Sequence, residues 1–134
     1  MVLHNACSVN GVEVWPGPLF DADEADIEDR IKRVMMNGRR AAYIGSTVDP
    51  AWRWKGGWCW RSGERPEWME GHVHKWSRLL VLAAAPRGDI PGLETWAIHA
   101  GLRIGAQLLQ NKALDGRGFP CRGPPLYGFI YICA

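Results

Sequence analysis

Hydrophobic and polar positions alternate over residues 11–15, a period of two that predicts a short strand, and the prolines and glycine at 16–18 break it. The period then changes. Ile27, Ile31, Val34 and Met35 fall on one helical face. Asp21 or Asp23 can cap the start of that helix, acids fill its first turn, and Lys32 and Arg33 lie near its end before Gly38. Residues 41–44, Ala-Ala-Tyr-Ile, read as a short strand stopped by Gly45 and Ser46. Asp49 followed by Pro50 marks a second helix start: the carboxylate can accept the first orphan N–H groups, and the missing N–H of proline costs nothing at the first helical position. That shorter helix carries Arg53. Residues 56–71 hold Gly, Pro and several Trp without a period and read as a loop. The apolar run 76–83 suits a buried strand, 86–92 is a turn-rich connection, 93–109 is helical in pattern, and 126–133 is a last strand.

A chain of 134 residues allows one domain with a real core, and we read residues 1–134 as that single domain, with 1–38 an acidic strand and helix extension at its start. With 47% hydrophobic and 22% charged residues, and no apolar run near the ~18 residues of a membrane helix, the composition fits a soluble protein without membrane contact. Cys7, Cys59, Cys121 and Cys133 are too scattered for a zinc site or a disulfide scaffold, so reduced thiols in an intracellular compartment, cytoplasmic or nuclear, are expected. The net charge of +2 conceals an asymmetry. Residues 1–29 hold seven of the 14 acids and no Lys or Arg, so the remainder sets all 16 basic residues against seven acids. Such an excess attracts a polyanion, although a solvated basic surface is at least as common.

The string YIGSTVDPAWRW at 43–54 resembles the second half of the GIY-YIG nuclease signature, in which a Tyr-Ile-Gly strand is followed by a turn and a helix whose Arg lies ten positions after the Tyr. Tyr43 and Arg53 keep that spacing. Glu94, in GLETWAIHAGLR, is placed like the family's metal-binding Glu near the start of a later helix, and Asn111, in NKALDGRG, is similar to its characteristic Asn. No Gly-Ile-Tyr strand stands upstream of Tyr43. Instead the C-terminal YGFIYICA looks like it, with Tyr131 in the motif's place, which implies a circularly permuted order. The His often found shortly after the helical Arg is absent, and His72 or His74 could substitute.

The resemblance implies an endonuclease that hydrolyses phosphodiesters in nucleic acid, DNA in preference to RNA, with Mg²⁺ or Mn²⁺. Glu94 would hold the metal, Arg53 would grip the phosphate with its planar, always charged guanidinium, Tyr131 would take the base role, and Tyr43 would position water or phosphate. Asn111 completes the catalytic set; His72, His74, Arg39 and Arg40 are candidate substrate contacts. Each has an ordinary reading alone: a packed strand tyrosine, a surface arginine, a first-turn acid, an Asn at a helix end. His72 and His74 would share one side if they lay on a strand. The fold expected is a mixed α/β (α+β) domain, a small, mainly antiparallel three-stranded sheet of 41–44, 76–83 and 129–133 flanked by helices. Two other functions remain open: a nucleic-acid-binding module of the same fold that does not cut, and a protein-interaction domain anchored by Trp52, Trp54, Trp58, Trp60 and Trp68. A protein partner or an oligomer would supply specificity that so small a chain lacks.

Overall fold

The acidic, amphipathic segment forms α1 (Glu24–Met36), and its start is fixed by its own side chains. Asp23 caps it by accepting from the Asp26 backbone N–H at 2.8 Å, while the Asp26 carboxylate accepts from the Asp23 N–H at 3.1 Å, a reciprocal box that satisfies two donors. The helix stops at Asn37, and Gly38 and Arg39 follow at positive φ, 81° and 51°. Only Gly takes that conformation without steric cost. We describe a computed structural model covering the backbone of 7–9 and residues 12–55, 72–111 and 126–134. The loop expected at 56–71, with Trp58, Trp60 and Trp68, lies outside the described residues, as do Cys59 and Cys121.

Among the described residues five strands share one sheet, where three were expected. They are β1 (Cys7–Val9), β2 (Val12–Val14), β3 (Tyr43–Thr47), β4 (Leu79–Pro86) and β5 (Tyr127–Cys133), in the order β1-β2-β4-β5-β3. The expected three are present as an antiparallel set, with β5 between β3 and β4. The correction comes from the N-terminal segment: β2 pairs with β4 in parallel, and β1 pairs with β2 antiparallel. A short alternating run cannot reveal its partner, and this one covers the edge of β4 that would otherwise be bare.

Boundaries moved for identifiable reasons. β3 runs through Gly45 and Ser46 because Gly45 lies opposite Tyr131 and makes room for its ring: a Cβ there would sit 2.5 Å from the Tyr131 hydroxyl oxygen. The strand expected at 76–83 begins at Leu79, because residues 72–74 form a 3₁₀ turn in which the His72 carbonyl accepts from the Lys75 and Trp76 N–H groups. β4 continues to Pro86, paired with Tyr127. α2 (Pro50–Lys55) starts where Asp49 and Pro50 announced it, and the Asp49 carboxylate accepts from the Trp52 N–H at 3.0 Å. α3 (Ile90–Gly105) begins one turn earlier than read, with a Pro in its first turn, and ends at Gly105.

The sheet has two differently built faces. On one, Ile44, Leu80, Leu82, Ile130 and Ile132 pack against Ile27, Ile31 and Met35 of α1 and Ala97, Ile98 and Ala100 of α3. α1 is therefore part of the core and stands on this helical side. An extra residue at Leu82 bulges β4 between Val81 and Ala83. Its carbonyl accepts from the buried Arg30 guanidinium at 2.7 Å; the same nitrogen donates to the Pro18 carbonyl at 2.9 Å, and the guanidinium lies 5.5 Å from the Trp15 ring centre. A buried cation is thus used as a donor to backbone left unpaired by the bulge and the N-terminal turn. On the other face, Val12, Leu79, Val81, Tyr131 and Cys133 form a smaller cluster with Trp54 of α2.

Candidate active site

The alternation of β3 and β5 sends Tyr43, Gly45 and Tyr131 to the second face, the one not covered by α1 and α3. Tyr43 pairs with Cys133 and Gly45 with Tyr131, so the two tyrosines are diagonal neighbours, their ring centres 6.4 Å apart. The 3₁₀ turn before β4 delivers His72 onto the pair. Its ring centre is 5.1 Å from that of Tyr43 and 5.5 Å from that of Tyr131, and its Nε2 lies 2.7 Å from the Tyr131 hydroxyl.

These groups differ in access. Tyr131 is 1% exposed and His72 is 9% exposed, whereas Tyr43 is half-buried. Burial, reinforced by the positive charges of Arg53 and Lys75, holds the His72 ring down to about 4, so at neutral pH it is uncharged, one nitrogen donating and the other accepting. Burial raises both phenols. Glu94 pushes Tyr43 further up while Arg53 pulls it back, and Tyr131 is raised by its burial and by Tyr43, again against Arg53. Burial also raises the Cys133 thiol, so it stays protonated and serves as packing beneath the tyrosines.

Arg53, on the last turn of α2, thus acts electrostatically on Tyr43, His72, Tyr131 and Cys133, and Glu94 acts on both tyrosines. The carboxylate of Glu94 is oriented by β3, whose Ser46 Oγ donates to Glu94 Oε1. Ser46 points to the helical side with Ile44, where α3 passes, and so ties the acid of one face to the tyrosine strand.

Of the set read from sequence, Tyr43 and Tyr131 meet on one face, and Arg53 and Glu94 act on their charges, Glu94 from the side of Ser46. His72 joins them as a partner of Tyr131. Asn111 does different work. Its Oδ1 accepts from the Ile44 N–H at 2.9 Å and its Nδ2 donates to the Ile44 carbonyl at 2.7 Å, so the side-chain amide imitates a strand along the outer edge of β3. The neighbouring backbone continues this edge, with Ala42 N–H donating to Leu108 O and Gln110 N–H donating to Ala42 O. His74 is exposed on the 3₁₀ turn and does not share a strand face with His72. Arg39 and Arg40 are exposed in the α1–β3 connection. Of the tryptophans, Trp52 is 45% exposed and Trp54 is buried in the second cluster.

Ser46 and Gly45 were not singled out by sequence as site residues. Gly45 carried a signal, since a glycine within a strand marks close approach of another group. Ser46 carried none, because its partner lies 48 positions away. Compared with family models, with curated proteins and with solved structures, the chain matches none of them.

Proposed function

We propose that this chain is a metal-dependent endonuclease that hydrolyses phosphodiester bonds in nucleic acid, DNA in preference to RNA. The observation that carries the proposal is the convergence, on one sheet face, of two tyrosines and a neutral histidine within the field of one arginine and one carboxylate. Phosphodiester cleavage needs a cation to bind the phosphate, a counter-charge for the pentavalent centre and groups that orient the attacking water. Arg53 supplies a guanidinium able to bond two phosphate oxygens at once. Tyr43 brings a half-buried phenol within the electrostatic reach of that guanidinium.

The donor chemistry fits a hard divalent cation held lightly. Glu94 offers a carboxylate fixed by Ser46. Among the described residues no group of three or more His, Cys, Asp or Glu converges on one point. Mg²⁺ accepts that arrangement, because it commonly keeps several waters and takes phosphate oxygens beside one or two carboxylates. Bound there, Mg²⁺ or Mn²⁺ would supply Lewis-acid neutralisation of the phosphate. The chain's own residues then bind the phosphate through Arg53, hold the carboxylate through Ser46 and keep the tyrosine pair in register through Gly45.

The test is cleavage of labelled single-stranded, duplex and branched DNA, and of RNA, with Mg²⁺ or Mn²⁺ and with EDTA. Wild type is expected to cut only with metal, and Glu94→Ala to lose at least about 100-fold, the scale of removing one electrostatic partner of a transition state. Salt-sensitive binding without cutting would replace the proposal by the non-cleaving module, and neither binding nor cutting would end it.

A further inference from the structure

The two tyrosines are not equivalent. Tyr131 rests on the bare backbone of Gly45, where any side chain would collide with its hydroxyl, and that hydroxyl lies 2.7 Å from His72 Nε2. The ring is enclosed on the sheet side by Val81 and Cys133 and is 1% exposed. A substrate oxygen cannot reach the Tyr131 hydroxyl without displacing His72. Tyr43 occupies the next position outward on the neighbouring strand: it is half-buried, leans on both His72 and Tyr131, and its hydroxyl makes no hydrogen bond among the described residues.

Resting on the phosphodiesterase reading above, we infer that Tyr43 is the tyrosine that meets the phosphodiester and its attacking water, while Tyr131, fixed by His72 and Gly45, is a positioning residue that never touches substrate. This inverts the assignment that the sequence resemblance implies, in which Tyr131 takes the base role. Geometry supplies the reason: a hydroxyl locked to a buried imidazole and packed against backbone is committed, and the half-buried Tyr43 phenol, on the outward side of that pair, is available. Tyr131 nevertheless matters, because its ring and His72 together form the wall against which Tyr43 rests.

The chain has three tyrosines, so each can be followed separately. Nitration of the native protein followed by peptide mapping is expected to modify Tyr43 and the exposed Tyr127 and to spare Tyr131. Adding a DNA oligonucleotide in Ca²⁺ is expected to protect Tyr43 and leave Tyr127 reactive. In the cleavage assay Tyr43→Phe is expected to lose about 100-fold in kcat with an unchanged melting temperature. Tyr131→Phe, which keeps the ring, is expected to lose less than about 10-fold, with KM and pH profile unchanged. Modification of Tyr131 in the native protein, failure of DNA to protect Tyr43, or a larger kcat loss in Tyr131→Phe than in Tyr43→Phe at equal stability would overturn the inference. Protection of Tyr43 without cleavage of any substrate would uphold the contact and overturn the nuclease reading instead.

Discussion

The face of the sheet beneath α1 and α3 is lined by Ile44, Leu80, Leu82, Ile130 and Ile132, each fully buried against aliphatic side chains of the two helices. The opposite face buries Val12, Leu79, Val81 and Trp54 too, yet among them it also buries Tyr131 and, slightly less deeply, His72, joined by a hydrogen bond, with Arg53 of a short helix acting on both. Burial of an aliphatic side chain stabilises through area removed from water. Burial of a phenol and an imidazole must first overcome the loss of their hydration, which their mutual hydrogen bond offsets. A fold that needed only a core would repeat the first solution on both faces. The second face instead adds two phenols, an imidazole and a thiol, all of which burial holds in their neutral forms. The same strands build both, because alternate residues of β3 and β5 point to opposite sides.

The contrast can be broken most strongly on the helical face. Ile31 is fully buried between α1 and the sheet, and Ile31→Ala is expected to destabilise the fold by about 2–5 kcal/mol, the range for emptying a core site of this size. Denaturant unfolding measures it. A cost well under 1 kcal/mol would mean that α1 is a detachable extension after all, whereas the structure makes it half of the α1–α3 cover.

A smaller effect, specific to the polar face, comes from His72. Its folded value of about 4 lies below the ordinary 6.5, so in that interval the unfolded chain binds a proton that the folded chain does not. Stability from this group is complete above pH ~6.5 and is lost as the pH falls towards 4, by about 3 kcal/mol at most. His72→Gln is expected to lower stability at pH 7 and to flatten the pH dependence between those limits. An unfolding free energy whose slope over that interval is the same in wild type and variant would place His72 in water.

Local structure was legible from sequence on both faces. The 3.6 period of Ile27, Ile31, Val34 and Met35 and the Asp23 and Asp49 caps are local signals, set within one or two turns of chain, and α1 and α2 formed where they pointed. The spacing from Tyr43 to Arg53 is equally local, a strand, turn and helix in a dozen residues. Partnership across the fold was not readable. Nothing in residues 12–14 shows that they pair with β4, nothing in Ser46 shows that it binds Glu94, and Asn111 gives no sign that both ends of its amide close the edge of β3. His72 and His74 illustrate the limit: spaced for one side of a strand, they separate on a 3₁₀ turn, and only His72 reaches the tyrosines. No helix among the described residues is long and apolar enough to cross a membrane.

The most direct test of the account is Arg53→Ala, with cleavage and unfolding measured on the same preparation. Arg53 sits half-buried at the end of α2, beside the polar cluster and outside the aliphatic core. The variant is expected to lose about 100-fold or more in metal-dependent cleavage, with unfolding free energy changed by no more than about 1 kcal/mol. Wild-type cleavage in the variant would show that the cation beside the two tyrosines does not hold the phosphate, and the second face would then have no claim to be the active site.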